Sequence, residues 1–128
     1  MKVRCIKLTN AFGEPVLDTK GNPAQSDGWL TVGKDYHVLE VLLDSGEWKL
    51  RIMNDEGHTP ALFPLANFEI VSPRISPTWI VRWGENGYFE LTPEAWAAHE
   101  FWDRYFDQDS WARRVFEDER NKIITADP

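Results

Sequence analysis

The sequence predicts an α+β protein: a small barrel or a strongly bent antiparallel sheet, extended by a hairpin and finished by C-terminal helices. Three observations carry this prediction. Short runs rich in β-branched and aromatic residues, separated by turns bearing Gly and Asn/Asp, fill residues 1–72. Ser72-Pro-Arg-Ile-Ser-Pro77 then sets two prolines in six residues, which interrupts helix and central strand alike and marks a boundary. In residues 73–128, Thr92-Pro93-Glu94 and Asp109-Ser-Trp carry helix-start signals: a side-chain oxygen to cap, then proline or an acid near the positive end of the helix dipole. The two parts are expected to pack as one unit.

Taken in order, Val3 to Thr9 alternates and predicts a strand with Val3 and Cys5 on one side. Asn10 to Thr31 is a long connection rich in Gly, Pro, Asn and Asp, a length more often kept for binding than for plain linkage. Phe12, Val16, Leu17 and Trp29 are the residues expected to pin it down. From Leu30 to Leu43, Gly33 offers a turn, and Tyr36, Val38 and the apolar run after them predict one strong strand. Asp44-Ser-Gly46 is a hairpin turn, because Gly takes the positive φ that twisted strands favour there. Trp48, Leu50 and Ile52 alternate with Lys49, Arg51 and Met53, which predicts a half-buried strand. Asn54 to Gly57 turns the chain again, and Leu62-Phe63 and Phe68 to Val71 make two short strands about Pro64. Trp79 to Trp83 and Tyr88 to Leu91 form a hairpin around Gly84-Glu-Asn-Gly87. A helix is expected from Thr92-Pro93-Glu94 to about Gln108, and a second from Asp109 to about Lys122, with Trp111, Val115 and Phe116 on its apolar side.

Composition limits the functional classes. The chain has 128 residues, 42% hydrophobic and 13% aromatic, enough to bury a core rather than remain disordered. The single cysteine, Cys5, forms no intrachain disulfide, which suits a reducing cytoplasm. No signal-like leader and no apolar run near the roughly 20 residues of a membrane span is present, so no membrane role is expected. Charge is lopsided: residues 1–84 hold 10 Asp/Glu and 9 Lys/Arg, whereas residues 85–128 hold 11 Asp/Glu and 5 Lys/Arg, net −6 of the total −7. Nucleic acid binding needs clustered cations to displace counterions, and this balance argues against it.

Leu30-Thr-Val-Gly-Lys-Asp-Tyr-His-Val-Leu, Asp44-Ser-Gly and Phe68-Glu-Ile-Val resemble the framework of SH3-like barrels, in which a Gly-Lys-x-Tyr turn enters a strand and a Phe-x-x-Val strand closes the sheet. This resemblance covers residues 1–72 and implies the barrel form of the fold. It departs from peptide-binding SH3 domains, whose ligand groove is lined by paired tyrosines and a tryptophan after an acidic loop that this sequence does not let us place. The whole arrangement, with Glu100-Phe-Trp-Asp-Arg-Tyr-Phe in its tail, also resembles small immunity proteins of bacterial polymorphic or contact-dependent toxin systems. That likeness implies a partner but brings no binding residues with it.

The candidate site residues are acidic and aromatic. Asp103, Asp107 and Asp109 are expected along one side of a helix, and Glu117, Asp118 and Glu119 form a second cluster. The plain explanation is a solvated face, partly neutralised by Arg104, Arg113, Arg114 and Arg120; the functional one is recognition of a basic protein by charge steering. Of the seven tryptophans, Trp48, Trp96 and Trp102 are expected in the core, while Trp79, Trp83 and Tyr88 lie on a hairpin that serves either the core or a partner interface, and are taken as candidates for the latter. His37, His58 and His99 fall in separate elements without metal-ligand spacing, and Asp55-Glu-Gly-His58 is an ordinary polar turn, so neither a metal, a cofactor nor catalysis is expected. The sequence thus predicts a non-enzymatic immunity protein that neutralises a toxin such as a basic nuclease. The alternative is a general interaction or regulatory module taking a peptide at the 10–31 loop.

Overall fold

The computed structural model describes residues 1–98 and 100–128; the expectation for His99 lies outside the described residues. The class is α+β, as predicted. Among the described residues, eight antiparallel strands form two open sheets that do not close into a barrel. The smaller has the order β2-β1-β6, from β1 (Lys2–Cys5), β2 (Asp35–His37) and β6 (Phe68–Ser72). The larger is β5-β4-β3-β8-β7, from β3 (Glu40–Asp44), β4 (Glu47–Met53), β5 (Pro60–Pro64), β7 (Trp79–Trp83) and β8 (Phe89–Pro93). Helices α1 (Phe101–Phe106) and α2 (Ser110–Ala126) complete the chain.

The single strand expected through Leu30–Leu43 is cut at Val38 and Leu39. Both are buried, and strict alternation cannot send two successive side chains to the same side. The chain turns a corner instead: the Val38 N–H donates to the Met1 carbonyl, and the Leu39 N–H to the Arg51 carbonyl of the other sheet. Beyond the corner, Ser45 and Gly46 both have positive φ (52° and 78°), giving the two-residue turn whose twist matches the flanking strands β3 and β4.

The 10–31 connection is ordered by its own side chains. Asn10, Asp18 and Asp27 each accept two backbone N–H bonds through Oδ1, closing three successive loops. Its anchors differ in part from those expected. Val16 packs against the core as expected, and Ala24 and Leu30 are buried, whereas Phe12 is 87% exposed and Leu17 and Trp29 are also exposed. Asp55 ties its far end down, accepting from Thr31 Oγ1 (2.7 Å), Tyr36 Oη (2.7 Å) and Lys34 Nζ (2.9 Å).

The helix expected from Thr92 does not start there. Thr92 and Pro93 end β8, paired with Ile80 and Trp79, and the Thr92 hydroxyl donates to Glu40 Oε2 at 2.7 Å instead of capping. A short 3₁₀ turn follows at Glu94–Trp96, and α1 runs only six residues. The second helix begins at the expected cap and extends past Lys122 to Ala126. Between them lies an aromatic cluster in which Trp96 stacks on Phe116 (centroids 5.1 Å apart) and Phe101 and Tyr105 are buried. No helix among the described residues is long and apolar enough to cross a membrane.

Arg51, expected on the open side of β4 with Lys49 and Met53, is 7% exposed. Its Nε donates to Glu40 Oε1 at 2.5 Å, its Nη1 to the Pro60 carbonyl at 3.0 Å, and its guanidinium lies 3.8 Å from the Trp102 ring centroid. Glu40 is 1% exposed. Removing one partner of such a pair strands the other charge, so Arg51→Ala is expected to cost about 3–5 kcal/mol in urea unfolding. The double variant Glu40→Leu/Arg51→Met removes both charges and is expected to recover most of that loss; equal loss in both would mean the pair does not govern the site.

Candidate functional site

Strand register assembles a surface that the linear sequence scatters over some forty residues. Leu43 pairs with Trp48 on β4 and with Phe89 on β8, and Phe89 pairs with Trp83 on β7. Directly opposed residues project to the same face of a sheet, so Trp48, Leu43, Phe89 and Trp83 form one row across four strands. Trp83 is 76% exposed and Trp48 44%, with Val81 exposed behind Trp83. Trp48 and Phe89 meet edge to face, with centroids 5.8 Å apart. A contiguous apolar row with two open tryptophans is uncommon on a surface that faces only water.

The inner part of the same face is core: Val41, Leu50 and Ile52 are buried. The row lies at the strand ends, next to the hairpin tips, and those tips carry the exposed carboxylates Asp44, Glu47 and Glu85. The cations on these strands are already engaged, Lys49 with Glu47 (3.5 Å) and Arg82 with Glu90 (3.3 Å). Beyond Trp48 the surface drops into a cleft of about 840 Å³, walled by Phe12 and Asn10 of the long loop and by Leu62 and Leu65. Apolar protein surface and acidic rim together make a surface suited to a partner bearing aliphatic groups and Lys/Arg.

Of the tryptophans expected at the surface, Trp83 is there and Trp79 is not. Trp79 is buried, and its indole N–H donates to the Leu39 carbonyl at 3.0 Å, so it supports the corner between the sheets. Trp48, expected in the core, is exposed. Tyr88 is half-buried and donates to Glu90 Oε2 at 2.7 Å; burial, then this carboxylate, push its phenol well above the ordinary range. Phe89 and Leu43 escaped the sequence reading, although strict alternation from Trp48 across the Asp44–Gly46 turn pointed to Leu43.

The acidic tail is more structural than expected. Asp103, Asp107 and Asp109 do not share one helix: α1 ends at Phe106, Asp107 is its C-cap, and Gln108 has φ 63°. Asp109 caps α2, accepting from the Ala112 N–H at 2.9 Å and from Arg104 Nη2 at 3.1 Å. Glu117 and Glu119 pair with Arg120 and Lys122 one turn on. Asp103, Asp107 and Asp118 remain exposed, with no ion-pair partner among the described residues. His37 Nε2 lies 2.8 Å from the Asp127 carbonyl, and His58 is exposed on its turn. No group of three or more His, Cys, Asp or Glu converges on a common point among the described residues. Cys5 is buried with its Sγ 3.4 Å from the Lys7 carbonyl, and burial pushes its thiol up.

Comparison with protein-family models, curated proteins and solved structures finds no match to this chain.

The backbone N–H of Ala112, then Arg104, hold the Asp109 carboxyl below the ordinary aspartate value of 3.8. A depressed acid stabilises the fold fully above its unfolded value and loses that contribution as pH falls through the folded one. Asp109→Asn keeps the cap acceptor without the charge. Circular dichroism melts taken from neutral into acid pH are therefore expected to show a shallower acid loss for Asp109→Asn than for the wild type, and a lower melting temperature at every pH for Asp109→Ala.

Proposed function

We propose that this chain is a non-enzymatic binding module that docks a basic protein through the Trp48–Leu43–Phe89–Trp83 row. The observation that carries the reading is the row itself: Leu43 and Phe89 flanked by an open tryptophan at each end, at hairpin tips whose unpaired charges, Asp44 and Glu85, are carboxylates. Tryptophan is favoured in interface hot spots because a rigid ring buries much area for little loss of freedom. The net charge of −7 adds long-range attraction toward a cationic surface, which raises the encounter rate. Within this class, the narrower reading is an immunity protein that occludes a toxin such as a basic nuclease; it rests on the sequence resemblance and on the acidity. In that reading the acids left free on the helices, Asp103, Asp107 and Asp118, steer the encounter, while the aromatic row supplies the contact that lasts.

The cleft beside Trp48 favours a second reading. Its volume and its exposed Phe12 suit an extended peptide laid between the start of the 10–31 loop and β5, as in a general interaction module.

Partner capture from lysate, followed by kinetics with the purified partner, separates these. Trp83→Ala is expected to leave unfolding within about 0.5 kcal/mol of wild type, since the ring is open to solvent. It is also expected to weaken binding at least about tenfold through faster dissociation. Raising salt, or the triple change Asp44→Lys/Glu47→Lys/Glu85→Lys, is expected to slow association instead. Full binding by Trp83→Ala combined with loss in Phe12→Ala would move the interface to the cleft; loss only on reversing Asp103 and Asp107 would move it to the helices.

A further inference from the structure

The opposite face of the five-stranded sheet holds a pocket of about 340 Å³ between the strands and the segment that carries Trp96 and Trp102. Register sets its floor: Arg51 beside Glu40 in one cross-strand row, and Leu42, Glu90 and Arg82 in the next. Trp96 and Trp102, with centroids 5.5 Å apart and planes at 65°, form the far wall. Charged side chains this deep are costly to keep, and where they converge on a pocket a ligand is the first explanation to test.

Hydrogen bonding in the floor is one-sided. Three of the four carboxylate oxygens accept hydrogen bonds, Glu40 from Arg51 Nε (2.5 Å) and Thr92 Oγ1 (2.7 Å) and Glu90 from Tyr88 Oη (2.7 Å), while Glu90 Oε1 forms an ion pair 3.3 Å from Arg82 Nε. Donors are left over. Arg51 Nη1 goes to the Pro60 carbonyl and Arg82 Nη1 to the Ala97 carbonyl, but the second Nη of each has no partner among the described residues. The buried indole N–H of Trp96 has none either. Spare N–H donors beside indole faces fit a flat apolar body that carries an acceptor group, and a carboxylate matches the planar edge of a guanidinium best.

We infer that this pocket binds a small planar carboxylate, its flat body against the indole wall and its carboxylate on the free Nη of Arg82 at the mouth. Arg82 is the accessible end of the site, its side chain 46% exposed, whereas Arg51 is held beneath Trp102. The site lies on the face away from the aromatic row and stands independently of the partner-binding reading.

Benzoate and indole-3-acetate are the probes, titrated into isotope-labelled full-length protein while the indole N–H resonances are followed by NMR. Trp96→Phe assigns the Trp96 signal. A saturable shift of the Trp96 and Trp102 signals, with Trp83 unmoved, is expected for at least one probe. Arg82→Gln is expected to weaken it at least about tenfold, while Arg74→Gln, at an exposed residue outside the pocket, binds as wild type. Dispersed spectra confirm that each variant is folded. No saturable shift at Trp96, unchanged binding by folded Arg82→Gln, or equal shifts with the uncharged analogue benzyl alcohol would each overturn the inference.

Discussion

A glutamate and an arginine withdrawn from water require partners, and in this fold five elements supply the pair and its contacts. Glu40 comes from β3 and Arg51 from β4; β8 contributes the Thr92 hydroxyl, β5 the Pro60 carbonyl, and α1 lays Trp102 across the guanidinium. The pair therefore acts as the joint at which the helical layer meets the sheet. A hydrophobic pair of similar volume would fill the space but would not dictate which strand sits beside which. Here the hydrogen bonds of the pair tie β3, β4, β5 and β8 together, and that arrangement brings Leu43, Trp48 and Phe89 into one row on the reverse face, which β7 extends with Trp83.

The same sheet therefore has two unlike faces. One is dry at the centre and aromatic at its open end, while the other is charged at the centre and roofed by indoles. Alternation makes both from the same strands, since Trp48 and Leu50 point one way and Lys49 and Arg51 the other. An extended surface for a protein partner and a confined pocket for something small can coexist on so thin a layer because neither competes for the other's side chains.

Much of the framework was legible in the sequence, and the failures share a cause. The strands at Val3–Cys5, Trp48–Ile52 and Trp79–Trp83, the Ser45-Gly46 turn and the Asp109 cap all depend on near neighbours, and local pattern is enough for them. Residues 92–96 misled because Thr-Pro-Glu satisfies helix-capping chemistry in isolation, whereas Glu40, about fifty positions earlier, takes the hydroxyl. Arg51 misled for the same reason, as no local signal announces that a cation will find a carboxylate on the next strand. The tryptophans were the hardest to place. Whether Trp48 or Trp79 faces solvent depends on what covers each strand end, and only the register between β3, β8 and β7 decides it.

The pairing of β3 with β8 also bears on how the chain acquires its structure as it is made. Val41 meets Leu91 and Leu43 meets Phe89, so β3 must wait for nearly fifty later residues before its second neighbour exists. Until then β3 is the open edge of a β3–β4–β5 meander, with Glu40 lacking its hydroxyl and Trp48 its aromatic neighbour. Pairings that span so much sequence close slowly, and the half-built sheet presents an open edge in the meantime. During synthesis on the ribosome, the hazardous interval lies between emergence of Asp44 and emergence of Pro93, and the polar demand of Glu40 disfavours any premature collapse that would seal the wrong strand beside it.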